Sequence, residues 1–421
     1  MNIEQLHKIF LKSNSVSTDT RKVNTNDLFF ALKGDNFNGN KFAKDAIEKG
    51  ARYAVIDEEA YNKNDTFILV ENVLETLQKL ATYHRNYLDL KIIALTGSNG
   101  KTTTKELINT VLSTKYKTVA TVGNLNNHIG VPLTLLSMDS STEIGIVEMG
   151  ANHLKEIEFL CKIAQPDFGY ITNFGKAHLE GFGSAEGVIE GKSELYNYLK
   201  TNDKLIFINN EDDKQVSILK DYSNTFSFGN STKADVEIYF EGANPFVISK
   251  FKNEVIESQL IGSYNFTNIS AAIAIGNYFD IEVSLTKGAI EKYVPTNNRS
   301  QIIYKGDSKI ILDAYNANPS SMKVALESFE KQPENYKIAI LGDMFELGKD
   351  AAKEHQYIAD LASTMPFNHV ILIGENFNKT KIVSAKVSVF KSFQEFKDNF
   401  DVSQFEKTTL LIKGSRGMAL E

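Results

Sequence analysis

Thr96-Gly97-Ser98-Asn99-Gly100-Lys101-Thr102-Thr103 follows the apolar run Ile92-Ile93-Ala94-Leu95 and precedes a helical pattern. A glycine loop between a strand and a helix lets backbone N–H groups close around phosphate oxygens. The helix N-terminus adds about half a positive charge to that cradle. Lys101 can bridge the β- and γ-phosphates of a nucleoside triphosphate, and the Thr102 hydroxyl can ligate Mg²⁺. The first glycine of the usual spacing would fall at Leu95, so the turn rests on Gly97 instead. Such a loop specifies a nucleoside triphosphate and no more, because motors, kinases, GTPases and ligases share it.

Three further residues stand where they could join that chemistry. Glu148 ends the apolar run Ile144-Gly145-Ile146-Val147. A carboxylate at the C-terminal end of a parallel strand faces the ligand crevice, so Glu148 is expected as a second Mg²⁺ ligand. His178 lies just past Gly169-Tyr170-Ile171-Thr172. Alone it reads as an ordinary surface or core histidine; beside the loop and Glu148 it is a candidate ligand for a second metal. Lys192, in Glu190-Gly191-Lys192-Ser193, reads by itself as a solvated helix lysine. The single cysteine, Cys161, sits in an apolar helical stretch with no histidine beside it and reads as a small core residue, not a nucleophile.

The elements that must position these groups follow from the apolar pattern. The 421 residues carry 42% hydrophobic and 24% charged residues, ordinary values for a globular chain of several domains. Net charge is −7, which argues against a nucleic-acid partner, since phosphate contacts need a clustered positive surface. The apolar runs are too short for a membrane span and the first ten residues do not read as a signal peptide, so a cytoplasmic location without membrane insertion is expected. With one cysteine no intrachain disulfide can form.

Residues 1–88 read as a small α/β domain: strands at 28–32, 53–56 and 67–70, helices at 42–49 and 73–87. Residues 89–295 read as a parallel-sheet domain around the phosphate loop. Its strands are expected at 92–96, 144–148, 169–172 and 204–208, with an antiparallel excursion at 225–262 and a closing helix at 266–279. Val294-Pro295-Thr296-Asn297-Asn298 reads as a linker. Residues 296–421 read as a Rossmann-like domain with strands at 310–313, 337–341, 370–373 and 409–412. The fold class is therefore α/β in three domains, the small N-terminal α/β domain, the central P-loop domain and the C-terminal Rossmann-like domain.

Several runs together resemble those of the Mur ligase family: Ser17-Thr18-Asp19-Thr20-Arg21, the loop 96–103, Gly123-Asn124-Leu125-Asn126-Asn127-His128-Ile129-Gly130-Val131-Pro132, Asp313-Ala314-Tyr315-Asn316-Ala317-Asn318-Pro319, Leu341-Gly342-Asp343-Met344-Phe345-Glu346-Leu347-Gly348 and Lys413-Gly414-Ser415-Arg416-Gly417. Within that family the Tyr-Asn-Ala-Asn-Pro and Gly-Asp-Met-x-Glu-Leu-Gly runs look like those of the members that join D-Ala-D-Ala to UDP-MurNAc-tripeptide. The Asp-Asn-Pro-Arg run of the members that add the third amino acid is absent.

The resemblance implies an ATP-dependent ligase that activates a carboxylate as an acyl phosphate, a monomer with UDP-MurNAc-tripeptide and D-Ala-D-Ala as substrates. It marks Lys101, His178 and Lys192 as catalytic. ATP would contact Gly97, Ser98, Asn99, Gly100, Lys101, Thr102 and Thr103, with Asn268 at the adenine, Arg299 at the phosphates, and Asp313 and Asn316 near the ribose and adenine. Two Mg²⁺ ions would be held by Thr102, Glu148, His178 and a carbamylated Lys192. Substrate would meet Ser17, Thr18, Asp19 and Arg21 at its UDP end, Asn124, Asn126 and Asn127 near the reacting carboxylate, and Lys413, Ser415 and Arg416. The family often has Asp where this chain has Asn38, and an acid where it has His128, which is given no role. Sibling Mur or folylpolyglutamate-type ligases, a P-loop ATPase or GTPase switch, and a non-catalytic nucleotide-sugar binder are the alternatives. Replacing Lys101 by alanine should leave a folded chain whose turnover falls by about 10²–10³, the usual loss for one electrostatic contact to the reacting group. Steady-state rates near wild type in the purified variant would contradict this assignment of the loop.

Overall fold

The computed structural model describes residues 1–296, 298–400, 405 and 407–421; Asn297 of the expected linker lies outside the described residues. Three large sheets follow one another along the chain, with a two-stranded hairpin, Lys33–Gly34 and Phe37–Asn38, beside the first. The first is parallel, in the order Val16–Ser17, Leu28–Phe30, Tyr53–Ile56, Phe67–Leu69. Leu28, Phe30, Ala54, Val55 and Ile56 have no exposed surface, as expected of parallel strands covered on both faces.

The helix Val73–Leu88 joins this unit to the next. Its apolar residues recur at helical spacing, Val73, Leu77, Leu80 and Ala81, and all are buried. Asn72 caps its start by accepting from Glu75 N, and Asp89 ends it in the left-handed region at φ 48°. The helix also bonds to the central unit. The Arg85 guanidinium donates to Asp167 at 2.8 Å and Gln165 O at 2.9 Å, and the Thr82 hydroxyl donates to Ile163 O at 3.0 Å.

The central sheet runs in the order Glu254–Ile261, Phe246–Phe251, Val236–Ala243, Thr225–Gly229, Leu205–Asn209, Phe168–Ile171, Lys91–Thr96, Ile144–Glu148, Thr118–Ala120. The antiparallel excursion starts later than the sequence implied: Thr225–Gly229 and Val236–Ala243 still pair parallel, and only the two pairs among Val236–Ala243, Phe246–Phe251 and Glu254–Ile261 are antiparallel. The Asp235 carboxylate accepts from Ser227 N and Oγ, both at 2.7 Å, and so holds this join. The helices Lys101–Leu112 and Asn265–Tyr278 pack together, the second largely buried. A further helix, Val283–Lys292, follows the one expected to close the unit; it has no side-chain cap to announce it. Cys161 is fully buried on the helix Glu156–Ala164, as expected.

The third sheet runs Gln301–Lys305, Ser308–Leu312, Thr409–Lys413, Lys337–Gly342, His369–Ile373, Val387–Phe390, parallel except for the first pair. Both outer strands escaped the sequence reading because neither contains a fully buried residue and so neither is a clean apolar run. Among the described residues, no helix is long and apolar enough to cross a membrane.

The central and third units meet closely around one cleft. Asn318 Nδ2 donates to Asn99 Oδ1 at 2.7 Å, and Lys176 N donates to Ser320 Oγ at 2.9 Å. The Lys176 ammonium donates to Glu354 at 2.7 Å, and Glu180 N to Glu346 O at 3.1 Å. His178 Nδ1 shares a hydrogen bond with the Glu346 carboxylate. Glu354 is almost fully buried while Lys176 is half exposed, so the ion pair is partly screened. A double-mutant cycle with Lys176→Met and Glu354→Gln, read on unfolding, should give a coupling of about 0.5–1 kcal/mol. Strictly additive single effects would contradict this joint.

Candidate active site: a phosphate cleft between the central and C-terminal units

The Lys91–Thr96 strand ends at the mouth of the sheet, and the loop 97–100 turns there into the Lys101–Leu112 helix. Two glycines permit the turn. A Cβ on Gly97 (φ 143°) would lie 2.0 Å from Thr172 Oγ1, and one on Gly100 (φ 79°) 2.6 Å from Asn268 Oδ1. The neighbouring strand's exit holds the loop in place. Asn173 O accepts from Ser98 N at 3.0 Å, Asn173 Oδ1 accepts from Asn99 N at 3.1 Å, and Thr172 Oγ1 donates to Asn99 O at 2.6 Å. Ser98 Oγ donates to Gly175 O at 2.8 Å. Neither Thr172 nor Asn173 was singled out from the sequence; their only signal is a position just past an expected strand.

The loop opens on a cavity of about 1530 Å³ whose walls come from the central and third units. Lys101 turns its ammonium onto Gly97 O at 2.7 Å. Burial, opposed by the Glu148 charge and assisted by that of Arg299, holds its pKa below the usual lysine value. The Thr102 hydroxyl donates to Glu148 at 2.9 Å, and Asn126 Nδ2 donates to the other Glu148 oxygen at 2.8 Å. A buried hydroxyl and carboxylate side by side are hard oxygen donors suited to Mg²⁺.

Across the cavity, the Arg299 guanidinium lies 3.6 Å above the Tyr315 ring, with the Arg416 guanidinium 5.4 Å from the same ring. Arg299 Nε is buried and finds no hydrogen-bond partner among the described residues. An unpaired buried guanidinium N–H facing a glycine loop and a lysine fits a bound polyphosphate. Tyr315 had been quoted only as part of a run; its ring is what holds the two arginines.

Other expected residues are at the cavity but already engaged. Asn268 Oδ1 accepts from Thr104 Oγ1 at 3.0 Å and its amide donates to Asn265 at 2.8 Å, binding two helices together. Lys413 donates to Asp313 at 2.6 Å, and Asp313 also accepts from Ser300 N at 3.0 Å. Ser415 Oγ accepts from Phe345 N at 2.9 Å. Asn127 Oδ1 accepts from Ile129 N and Gly130 N at the start of the Gly130–Leu136 helix. Ser98, Asn99, Gly100, Thr103, Asn124, Asn316 and Arg416 line the cavity as well.

The expected four-ligand metal set is not gathered. Thr102 and Glu148 touch, and His178 lines the same cavity with its ring bonded to Glu346 of the third unit. Lys192 does not line the cavity: it has no exposed surface and donates to Ala151 O at 2.9 Å. Its burial and the nearby Lys101 charge push its pKa well below the ordinary value. Among the described residues no three His, Cys, Asp or Glu side chains form a metal-holding group. The N-terminal motif is also apart. None of Ser17, Thr18, Asp19 and Arg21 lines this cavity, and Asp19 closes a turn by accepting from the exposed Arg21 side chain at 2.7 Å.

Residues 12–85 match the family model "Mur ligase family, catalytic domain", 95–276 match "Mur ligase middle domain" and 298–416 match "Mur ligase, glutamate ligase domain". A UDP-N-acetylmuramoyl-tripeptide–D-alanyl-D-alanine ligase of Bacillus subtilis (strain 168) is 36% identical, over 96% of this chain and 91% of its own. The crystal structure of MurF from Acinetobacter baumannii aligns with a TM-score of 0.86 at 28% identity, covering 99% of this chain and 96% of its own. That of MurF ligase from Thermotoga maritima in complex with ADP gives 0.83 at 26% identity, covering 97% and 95%. Likeness of this extent leaves no unit of the chain unmatched: it belongs to the Mur ligase family.

Proposed function

We propose that this chain is an ATP-dependent, ADP-forming ligase that joins D-Ala-D-Ala to UDP-MurNAc-tripeptide, an amide-forming step of peptidoglycan precursor synthesis. The observation that carries this reading is a single cleft facing the glycine loop, Lys101 and the Thr102–Glu148 pair on one side and Arg299 and Arg416 on the other. Relatives with that printed activity align over nearly the whole chain.

The reaction divides into two steps. An oxygen of the tripeptide's terminal carboxylate attacks the γ-phosphorus in line; the bond to the β-phosphate oxygen breaks, leaving ADP and an acyl phosphate. The free amine of D-Ala-D-Ala then attacks the acyl carbon. The tetrahedral intermediate expels phosphate, and the nitrogen loses a proton. Lys101, Arg299 and Arg416 offset the charge that gathers on the transferring group. Mg²⁺ bound at Thr102 and Glu148 would supply Lewis-acid stabilisation of the phosphoryl oxygens. Asn124 and Asn126 border the side from which the carboxylate approaches. They can grip an acid or amide without adding like charge. The joints of Asn99, Lys176 and His178 bring the two walls of the cleft together.

The proposal has further parts. They are the domain limits 1–88, 89–295 and 296–421, the UDP end at Ser17–Arg21, a second Mg²⁺ near His178, a monomer, and a cytoplasmic location. Nothing at the site supports carbamylation of Lys192, whose side chain does not line the cavity and donates to Ala151 O at 2.9 Å.

Phosphate release should need ATP, UDP-MurNAc-tripeptide and D-Ala-D-Ala together, with one ADP formed per peptide joined. Equal turnover with a single amino acid in place of the dipeptide would point to a sibling ligase. Phosphate release with ATP alone at the same rate would point to a hydrolytic switch.

A further inference from the structure

We propose that Lys105 and Thr121 are positioning residues: a buried clamp that sets Glu148 and the loop bearing Asn124 and Asn126 against the phosphate-loop helix. The inference rests on the reading of Glu148 as a metal ligand. Lys105 lies four residues beyond Lys101 on the same helix, and is 1% exposed. A buried ammonium is costly unless its hydrogen bonds are met. Here Lys105 Nζ donates to Thr121 O and Glu106 Oε1, both at 2.5 Å.

Thr121 is the first residue beyond the Thr118–Ala120 strand and is itself 1% exposed. Every polar group it has is engaged, one by the Lys101–Leu112 helix and two by the Ile144–Glu148 strand. Its carbonyl accepts from Lys105, its N–H donates to Ile146 O at 3.0 Å, and its hydroxyl accepts from Glu148 N at 2.9 Å. One side chain thus fixes the backbone of Glu148, whose carboxylate receives Thr102 and Asn126. The chain beyond Thr121 is the asparagine loop, and Asn126 O in turn accepts from Gly150 N at 2.7 Å. The clamp therefore ties together the helix that carries Lys101 and Thr102, the strand that carries Glu148 and the root of the loop that carries Asn126. Neither residue touches the cavity, so both act through Glu148.

The test is Mn²⁺ binding, read by electron paramagnetic resonance with a non-hydrolysable ATP analogue, on full-length Lys105→Met and Thr121→Val. Loss of a partner that orients a ligand typically weakens metal binding by roughly 10- to 100-fold, and that loss is expected in both variants. Binding of the analogue without metal should stay at the wild-type level. Thr121→Ser, which keeps the hydroxyl, should restore Mn²⁺ binding, and the double variant should lose no more than either single one. Mn²⁺ binding at the wild-type level in Thr121→Val overturns the clamp. So does an equal loss of metal-free analogue binding, which would mark general damage. If Lys105→Met does not fold, Thr121→Val against Thr121→Ser decides by the same criteria. A wild-type chain that binds no Mn²⁺ with the analogue overturns the assignment of Glu148, and the clamp with it.

Discussion

The backbone of residues 97–100 takes its shape from the exit of the adjacent strand. Thr172 and Asn173 bond both N–H and C=O groups of the loop, and the Gly97 contact with Thr172 leaves no room for a side chain. A cradle for phosphate must be rigid before the ligand arrives, because donors that reorganise on binding lose much of their stabilisation of a developing charge. The parallel register of Lys91–Thr96 with Phe168–Ile171 supplies that rigidity. The same two strand ends deliver Lys101 on one side and the 173–178 segment on the other.

From that segment the third unit is drawn in. Gly175, Lys176 and His178 meet Ser320, Glu354 and Glu346 across the mouth of the cleft, and Asn99 of the loop itself meets Asn318. Asn99 of the glycine loop is thus also a joint between units. Arg299 and Arg416, both set against the Tyr315 ring, complete a site whose cations come from both units.

Much of this was legible from sequence. The buried parallel strands are continuous apolar runs, and the loop's context between strand and helix is explicit. The outer strands Gln301–Lys305 and Val387–Phe390 were not legible, because an edge strand carries no such run. Site residues divided in the same way. Lys101, Thr102 and Glu148 sit at the ends of strongly patterned elements and come together. His178, expected as a ligand from its place past a strand, lines the same cavity with its ring bonded to Glu346, whereas Lys192, drawn in by resemblance, does not line it. Asn127, Ser415 and Asp313 belong to the expected runs, but their polar atoms hold backbone or a lysine. Thr121 and Lys105 gave no sequence signal at all, since their role depends on three elements meeting.

The central claim is that this cleft passes the γ-phosphoryl group of ATP to a carboxylate, not to water. UDP-MurNAc-tripeptide labelled with ¹⁸O in its terminal carboxylate tests it directly, with D-Ala-D-Ala and ATP present and the released phosphate read by mass spectrometry. Passage through an acyl phosphate leaves one carboxylate oxygen in every phosphate released. Phosphate free of the label, at a rate matching ADP formation, would contradict the account.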